Sequence, residues 1–302
     1  MNSTQQQKLI CEHAPGWLDD LQEKTQSIRR QRTGAHVYAL VDCAFEERTH
    51  AVIVRHALPA RTLYDLSPTP SRDLQAISPT LIPLTPETAP QWRDVLRLTD
   101  GWPMLSLIVT PESLDELALR LHPWCIVNAD GQPFVFRFPD TRRLPAVVDV
   151  LTPEQHGAFF GPAIAWRYRT RSAQWADLPL PSTAFPVADY VKLDAAQCAQ
   201  LINDSEADAL LAQLDINEPA TTAPYHRAAA HQLVTQALKR ADRYDITGTD
   251  RIQWCSLYLR QPKLEQMPAA IPLLASLLKN ECRYADISRN LATLARTHDK
   301  IN

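Results

Sequence analysis

The side chains able to do acid, base, nucleophilic or metal chemistry are scattered through this sequence, and their spacing argues against most such uses. Of nine histidines, His226 and His231 lie five apart and miss a common helix face, His50 and His56 lack a carboxylate or cysteine at ligand spacing, and HExxH is absent. No metal site is expected. The six cysteines, Cys11, Cys43, Cys125, Cys198, Cys255 and Cys282, form no CxxC pair and read as free thiols of a reducing compartment. Neither a GxSxG elbow nor a family-specific cysteine signature occurs, although a triad assembled from distant residues stays open. Cys43 follows Asp42 at the predicted end of a strand, where α/β sheets present groups to ligands. Its competing reading is a small buried side chain in a tight turn.

Glycine is scarce, with seven residues against 24 prolines, and neither GxGxxG nor GxxxxGK is present. Phosphate-cradling loops need glycines so that backbone amides can approach the ligand, so no nucleotide or other cofactor is expected. Adjacent carboxylates such as Asp19 and Asp20, or Glu46 and Glu47, project in different directions on a helix and read as solvated faces. Arg137 differs, because it lies within the apolar aromatic run FVFRF, where a partly buried guanidinium requires a partner. Asp42, Asp65 and Asp140 are the candidates. A brace between strand and helix start competes here with direct ligand recognition.

A second cluster, Trp166, Tyr168 and Trp175 with Arg167, Arg169 and Arg171, ends the first half of the chain. Strand alternation puts Trp166 and Tyr168 on one face and the arginines on the other. The residue types suit a protein-binding face; the default reading beside it is core packing on one face and solvated charge on the other.

The elements that must position these residues fall into two lobes, as 302 residues exceed a typical single domain. Strands are predicted at His36 to Val41, Arg61 to Tyr64, Leu81 to Leu84, Met104 to Val109 and Ile164 to Thr170, with a helix at Leu114 to Leu121. Trp124 to Asn128 and Phe134 to Phe138 read as a hairpin across Ala129-Asp130-Gly131. The triplet Thr-Pro-Glu at Thr85, Thr110 and Thr152 marks three helix starts, the third completed as a capping box by Gln155. The expected architecture is an α/β, mixed-sheet lobe over residues 1–178, a proline-rich linker over 179–187 and an all-α bundle of four to five helices over 188–302. In that bundle, Ala230 through Tyr244, then Ile271, Leu274 and Leu278, then Ile287, Leu291 and Leu294, recur at helical spacing.

Charge excludes little and favours little. A formal charge of −3 with 45% hydrophobic and 22% charged residues describes an ordinary globular chain, without a global drive toward nucleic acid or anionic membrane. No apolar run is long enough to span a bilayer and the N-terminal segment lacks the apolar core of a secretory signal, so a cytoplasmic protein is expected.

In order along the chain, YALVDCA (Tyr38 to Ala44), TLYDL (Thr62 to Leu66), SPTLIPL (Ser78 to Leu84), FRFPDTRRL (Phe136 to Leu144) and TPEQHGAFFGP (Thr152 to Pro162) resemble the bacterial type VI secretion adaptor or effector chaperone family, domain of unknown function 4123. The resemblance covers Tyr38 to about Trp166. Asp42, Arg137, Asp140, Phe159, Phe160, Gly161 and Pro162 stand in its scaffold motif. Cys43 stands where the family usually has glycine, Pro139 where it has an aromatic, and Pro145 demands a later helix start or a kink. The resemblance implies a cytosolic, non-catalytic protein that binds a specific toxic effector and helps mount it on a VgrG or PAAR spike protein. Trp166, Tyr168 and Trp175 are the expected partner-binding residues. The rival expectation is a hydrolase or transferase with a site near Asp42, Cys43 and Arg137.

Overall fold

The computed structural model describes residues 8–66, 71–129, 131–186 and 190–298. The chain separates into two compact units, Met1–Asp204 and Ser205–Asn302. The division lies later than the linker placed at 179–187, because residues beyond that linker still belong to the first unit's sheet. Val187 and the start of the expected bundle, at 188 and 189, lie outside the described residues.

In the first unit, α1 (Trp17–Gln31) precedes β1 (His36–Asp42), α2 (Arg48–Arg55) and the short β2 (Arg61–Thr62). Then come α3 (Arg72–Ala76), β3 (Pro79–Pro83), α4 (Ala89–Arg97), β4 (Leu105–Thr110) and α5 (Leu114–Leu121). The unit continues through β5 (Ile126–Ala129), β6 (Gln132–Val135), α6 (Leu144–Val150), α7 (Pro153–Phe160), β7 (Ala165–Arg169), β8 (Trp175–Asp177) and β9 (Val191–Leu193). A six-stranded antiparallel sheet runs in the order β2-β3-β1-β4-β7-β8, and a smaller mixed sheet in the order β6-β5-β9. β9 pairs parallel to β5, matching Val191 to Val127 and Leu193 to Ala129. The fold is thus the expected mixed-sheet α/β region followed by helices.

β1 shows why the large sheet is covered on both sides. Its successive side chains alternate between faces, and Tyr38 and Leu40 join one core while Val37, Ala39 and Val41 join another. The first core is closed by α5, α6, α7 and the small sheet, the second by α1, α2 and α4. A strand buried on both faces reads as a continuous apolar run, as HVYALV does.

Two of the three Thr-Pro-Glu triplets are not helix starts. Pro90 would fall inside a helix begun at Pro86, where its ring and missing N–H are not tolerated, so α4 starts at Ala89 with Pro90 in its first turn. Thr110 ends β4, and the cap of α5 is Ser113 with Glu116 in a reciprocal box. Only Thr152 caps as expected: it accepts from the Gln155 amide while the Gln155 side chain accepts from Thr152 N. The hairpin is also displaced. Trp124 sits in a 3-10 turn, β6 ends at Val135, and Asp130 of the turn lies outside the described residues. Gly131 takes the left-handed φ of 81° that the reversal needs.

The second unit packs the C-terminal part of α8 (Ala195–Asn217) with α9 (Pro219–Thr222), α10 (Arg227–Arg243), α11 (Asp250–Arg260), α12 (Ile271–Leu278) and α13 (Tyr284–His298). Trp254 is wholly buried at its centre and donates to the Ala237 carbonyl at 2.8 Å. On α12 the buried pair is Leu274 and Leu277, while Ile271 and Leu278 are exposed. The run IPLLASLL is apolar at most positions, so its periodicity does not select a face.

Candidate functional site

β1 ends at Asp42, whose buried carboxylate accepts from Ala44 N at 3.2 Å and so opens the 3-10 turn Cys43–Phe45. Arg137 does not lie in a strand: it follows β6, in the turn that leads to Asp140, and donates from Nη2 to Asp42 Oδ2 at 2.7 Å. Its side chain is 45% exposed while that of Asp42 is 3% exposed, so one end of the pair is dry and the other faces solvent. Burial raises the Asp42 pKa, and the Arg137 charge and hydrogen bond oppose that rise. Asp140, the third residue of the set, accepts from its neighbour Arg142 through Oδ1 at 3.1 Å and Oδ2 at 2.8 Å, not from Arg137. The Asp65 side chain lies outside the described residues.

Phe45 organises what surrounds this pair. The Arg137 guanidinium lies 4.6 Å and that of Arg142 5.6 Å from its ring centre, and the Trp102 ring stacks at 6.4 Å. Lys8 Nζ in turn stands 4.9 Å from the Trp102 ring centre. The result is a row of cations and aromatic faces above two carboxylates, suited to holding a polar or anionic group by charge and stacking. Cys43 does not join it. Its thiol is turned toward Thr80 Oγ1 at 3.5 Å, fully buried, and burial pushes its pKa up to about 12. At neutral pH that sulfur is protonated, and nucleophilic attack requires the thiolate.

The FFGP residues build a different place. Phe159 stacks on Trp166 at 4.9 Å and meets Trp124 and Phe138 edge-on at 4.9 and 5.4 Å, with Phe160 against both Phe159 and Trp166. Behind them runs Arg120, 2% exposed, which donates from Nε and Nη2 to the two Glu112 oxygens at 2.7 and 2.6 Å and from Nη1 to the Phe159 carbonyl. Gly161 is required on two counts. It has φ 50° and ψ −135°, and a Cβ there would stand 2.6 Å from Arg120 Cδ and Nε. Pro162 then leads into β7. Sequence reasoning missed Glu112 and Arg120, and the available signal was a charged residue inside the apolar stripe of α5 between Leu117 and Leu121.

The residues expected to bind a partner are divided between the two faces of the sheet. Trp166 is 1% exposed and donates from Nε1 to Ser106 Oγ at 3.1 Å, so it belongs to the core and offers no free surface. Tyr168 is half-buried on the same side, while Trp175, also half-buried, packs against the second core. The face assigned to solvated arginines is covered as well: Arg169 is 5% exposed, with its guanidinium 4.0 Å from the Trp175 ring centre and 4.8 Å from that of Trp17. α1 and the segment before it lie over this face, which local alternation does not reveal.

Among the described residues, no group of three or more His, Cys, Asp or Glu side chains is placed to hold a metal ion, and no helix is long and apolar enough to cross a membrane. No curated protein and no solved structure matches the chain. Residues 37–158, from β1 through most of α7 and including Asp42, Phe45, Arg120, Arg137 and Asp140, match the model of the family described as Domain of unknown function (DUF4123).

Proposed function

We propose that this protein is a cytoplasmic adaptor of bacterial type VI secretion, which binds one effector toxin and helps load it onto a VgrG or PAAR spike protein without catalysing a reaction. The observation that carries the reading is the span of the family match, 37–158, which contains four of the five segments on which the resemblance rests and most of the fifth. The geometry is compatible with binding. The Arg137 and Phe45 row offers a half-exposed guanidinium and aromatic faces, residue types that anchor protein interfaces. Binding of this kind needs buried area and shape, not a reactive centre. In this reading the α/β unit supplies the common scaffold or spike contact, and the helical unit the face specific to one effector. The rival reading, a hydrolase or transferase at Asp42, Cys43 and Arg137, is less well supported, since the thiol is turned away from the ion pair and protonated at neutral pH.

The test is co-purification of the tagged full chain with candidate effector toxins and VgrG or PAAR proteins from the same genome. Retention of the toxin through gel filtration is the expected result. A folded chain that retains neither toxin nor spike protein would overturn the proposal.

A further inference from the structure

Arg169 closes β7 as a buried cation whose hydrogen bonding is incomplete. Its Nη1 donates to the Ala173 carbonyl at 2.7 Å, while Nε and Nη2 are buried and have no hydrogen-bond partner. Those two nitrogens lie along one edge of the guanidinium plane, the edge that receives a carboxylate through two parallel N–H···O bonds. The guanidinium carbon lies 4.8 Å from the Trp17 ring centre and 4.0 Å from that of Trp175, and these indole faces offer it no hydrogen-bond acceptor. A buried polar group left without a partner is costly, and for a charged one the cost is larger.

The neighbouring residue reinforces the point. His13 is 9% exposed, meets the Trp17 ring edge-on at 4.3 Å, and carries a buried Nδ1 that also has no hydrogen-bond partner. Its Nε2 lies 3.5 Å from Thr99 Oγ1, and its backbone N–H takes Asp100 Oδ1 at 2.7 Å. Burial and the Arg169 charge push its pKa down to about 4, so near pH 7 it is neutral. Around Trp17 the Arg169 cation and the Asp100 carboxylate, which is held by the His13 N–H, lie beside three buried side-chain nitrogens without hydrogen-bond partners. A planar carboxylate matches the paired N–H groups of the Arg169 edge and brings a single charge into a dry place, where a dianion costs more to desolvate.

We infer that the free edge of Arg169, between Trp17 and Trp175 and beside His13, is a binding site for a single carboxylate. The ligand enters where the half-buried indoles of Trp17 and Trp175 meet solvent. The strap before α1 covers the site and is held by the bonds of Leu9 and Ile10 N to Gly101 O, of Cys11 N to Arg171 O, and of His13 to Asp100. A carboxylate of this kind is borne by a free small acid or by a polypeptide, as an acidic side chain or a C-terminus. This site does not depend on the adaptor reading and stands if that reading fails.

Two probes separate the sources: sodium acetate, and short peptides with a free or amidated C-terminus, with or without glutamate. Tryptophan fluorescence and the midpoint of thermal unfolding are followed on the full chain at constant ionic strength, with chloride as the reference. The expected result is a saturable fluorescence change and a raised midpoint with acetate or with a carboxylate-bearing peptide. Arg169→Met keeps the apolar stem but removes the donors; it should fold, melt no lower than the parent chain and lose the response. Arg169→Lys should bind at least tenfold more weakly, because an ammonium cannot present the parallel pair of N–H groups. The inference is overturned by any of three outcomes: no response beyond chloride, a response to sulfate or phosphate alone, or an Arg169→Met chain that keeps the response. A ligand-free Arg169→Met chain that melts far below the parent also overturns it, since the guanidinium would then be satisfied without a ligand.

Discussion

Replacing Arg120 with methionine should destabilise the first unit more than any surface substitution, and the structure sets the size of the effect. The side chains of Arg120 and Glu112 are 2% and 12% exposed, so removal of the cation leaves a nearly dry carboxylate. It also leaves the Phe159 carbonyl without the Nη1 donor. Breaking a buried pair from one side costs about 3–5 kcal/mol. Glu112 still accepts from Thr110 Oγ1 at 2.7 Å, which places the expected loss toward the lower end of that range. For a unit of this size each kcal/mol moves the unfolding midpoint by roughly 2–4 °C, so a fall of roughly 6–15 °C is expected. Circular dichroism melts and urea titrations would measure it. Gly161→Ala should be destabilising for a related reason, since its Cβ would crowd Arg120 and its backbone is left-handed. Combining it with Arg120→Ala relieves the crowding but not the backbone strain, so the two losses should fall short of adding. A loss below about 1 kcal/mol for Arg120→Met, or strict additivity of the pair, would refute the account of the FFGP turn as a seat for Arg120.

Two further outcomes follow from the end of β1. Arg137→Ala removes the charge that opposes the burial-driven rise of the Asp42 pKa, so the folded-state value climbs further above the unfolded one. The resulting penalty is absent below the unfolded pKa, develops as pH rises through the folded pKa, and is complete above it. The variant should therefore lose about 1–2 kcal/mol at pH 7.5, a figure reduced for the exposure of Arg137, and less at pH 4.5. Equal losses at both values would show that the Asp42 charge is not what the arginine supports. Thiol titration gives the other check: Cys43, Cys125 and Cys255 are buried with pKa values raised by burial, whereas Cys11, Cys198 and Cys282 are half-buried. Under native conditions at pH 8 an aromatic disulfide reagent should modify only the latter three, and all six after denaturation. A native adduct on Cys43, located by peptide mass mapping, would contradict its placement.

What the sequence disclosed was set by range. HVYALV read as a strand and LDELALRL as a helix because their signals lie within a few residues, and both stand where they were expected. Thr152 with Gln155 is likewise a local motif with a local outcome. The Arg137 and Asp42 pair was legible for a different reason, since a guanidinium in an aromatic run needs a partner and Asp42 was one of three at hand. Its partition was not: Asp140 is taken by Arg142, two residues away. The first two Thr-Pro-Glu triplets misled because Pro90 and Ser113, just downstream, impose later starts. Trp166 and Arg169 show the limit most clearly. Alternation placed them on opposite faces of β7 correctly, but which face stays wet depends on α1, more than 130 residues earlier in the chain.

The two buried arginines of the first unit mark what distinguishes a brace from a site. Arg120 and Arg169 are similarly inaccessible, at 2% and 5% exposure, and each has a neighbouring carbonyl for its Nη1. They differ at the remaining edge: Glu112 fills it for Arg120 with two hydrogen bonds, whereas the Nε and Nη2 of Arg169 make no hydrogen bond. Aromatic faces do not supply that partner, since a cation above an indole gains about 0.5–2 kcal/mol while an unmade bond to a charged donor costs more. The same substitution in the same unit should therefore have different consequences, lowering the unfolding midpoint at residue 120 and leaving it no lower at residue 169. Burial, charge and residue type are shared, and the edge partner is the difference that sets the sign of the effect.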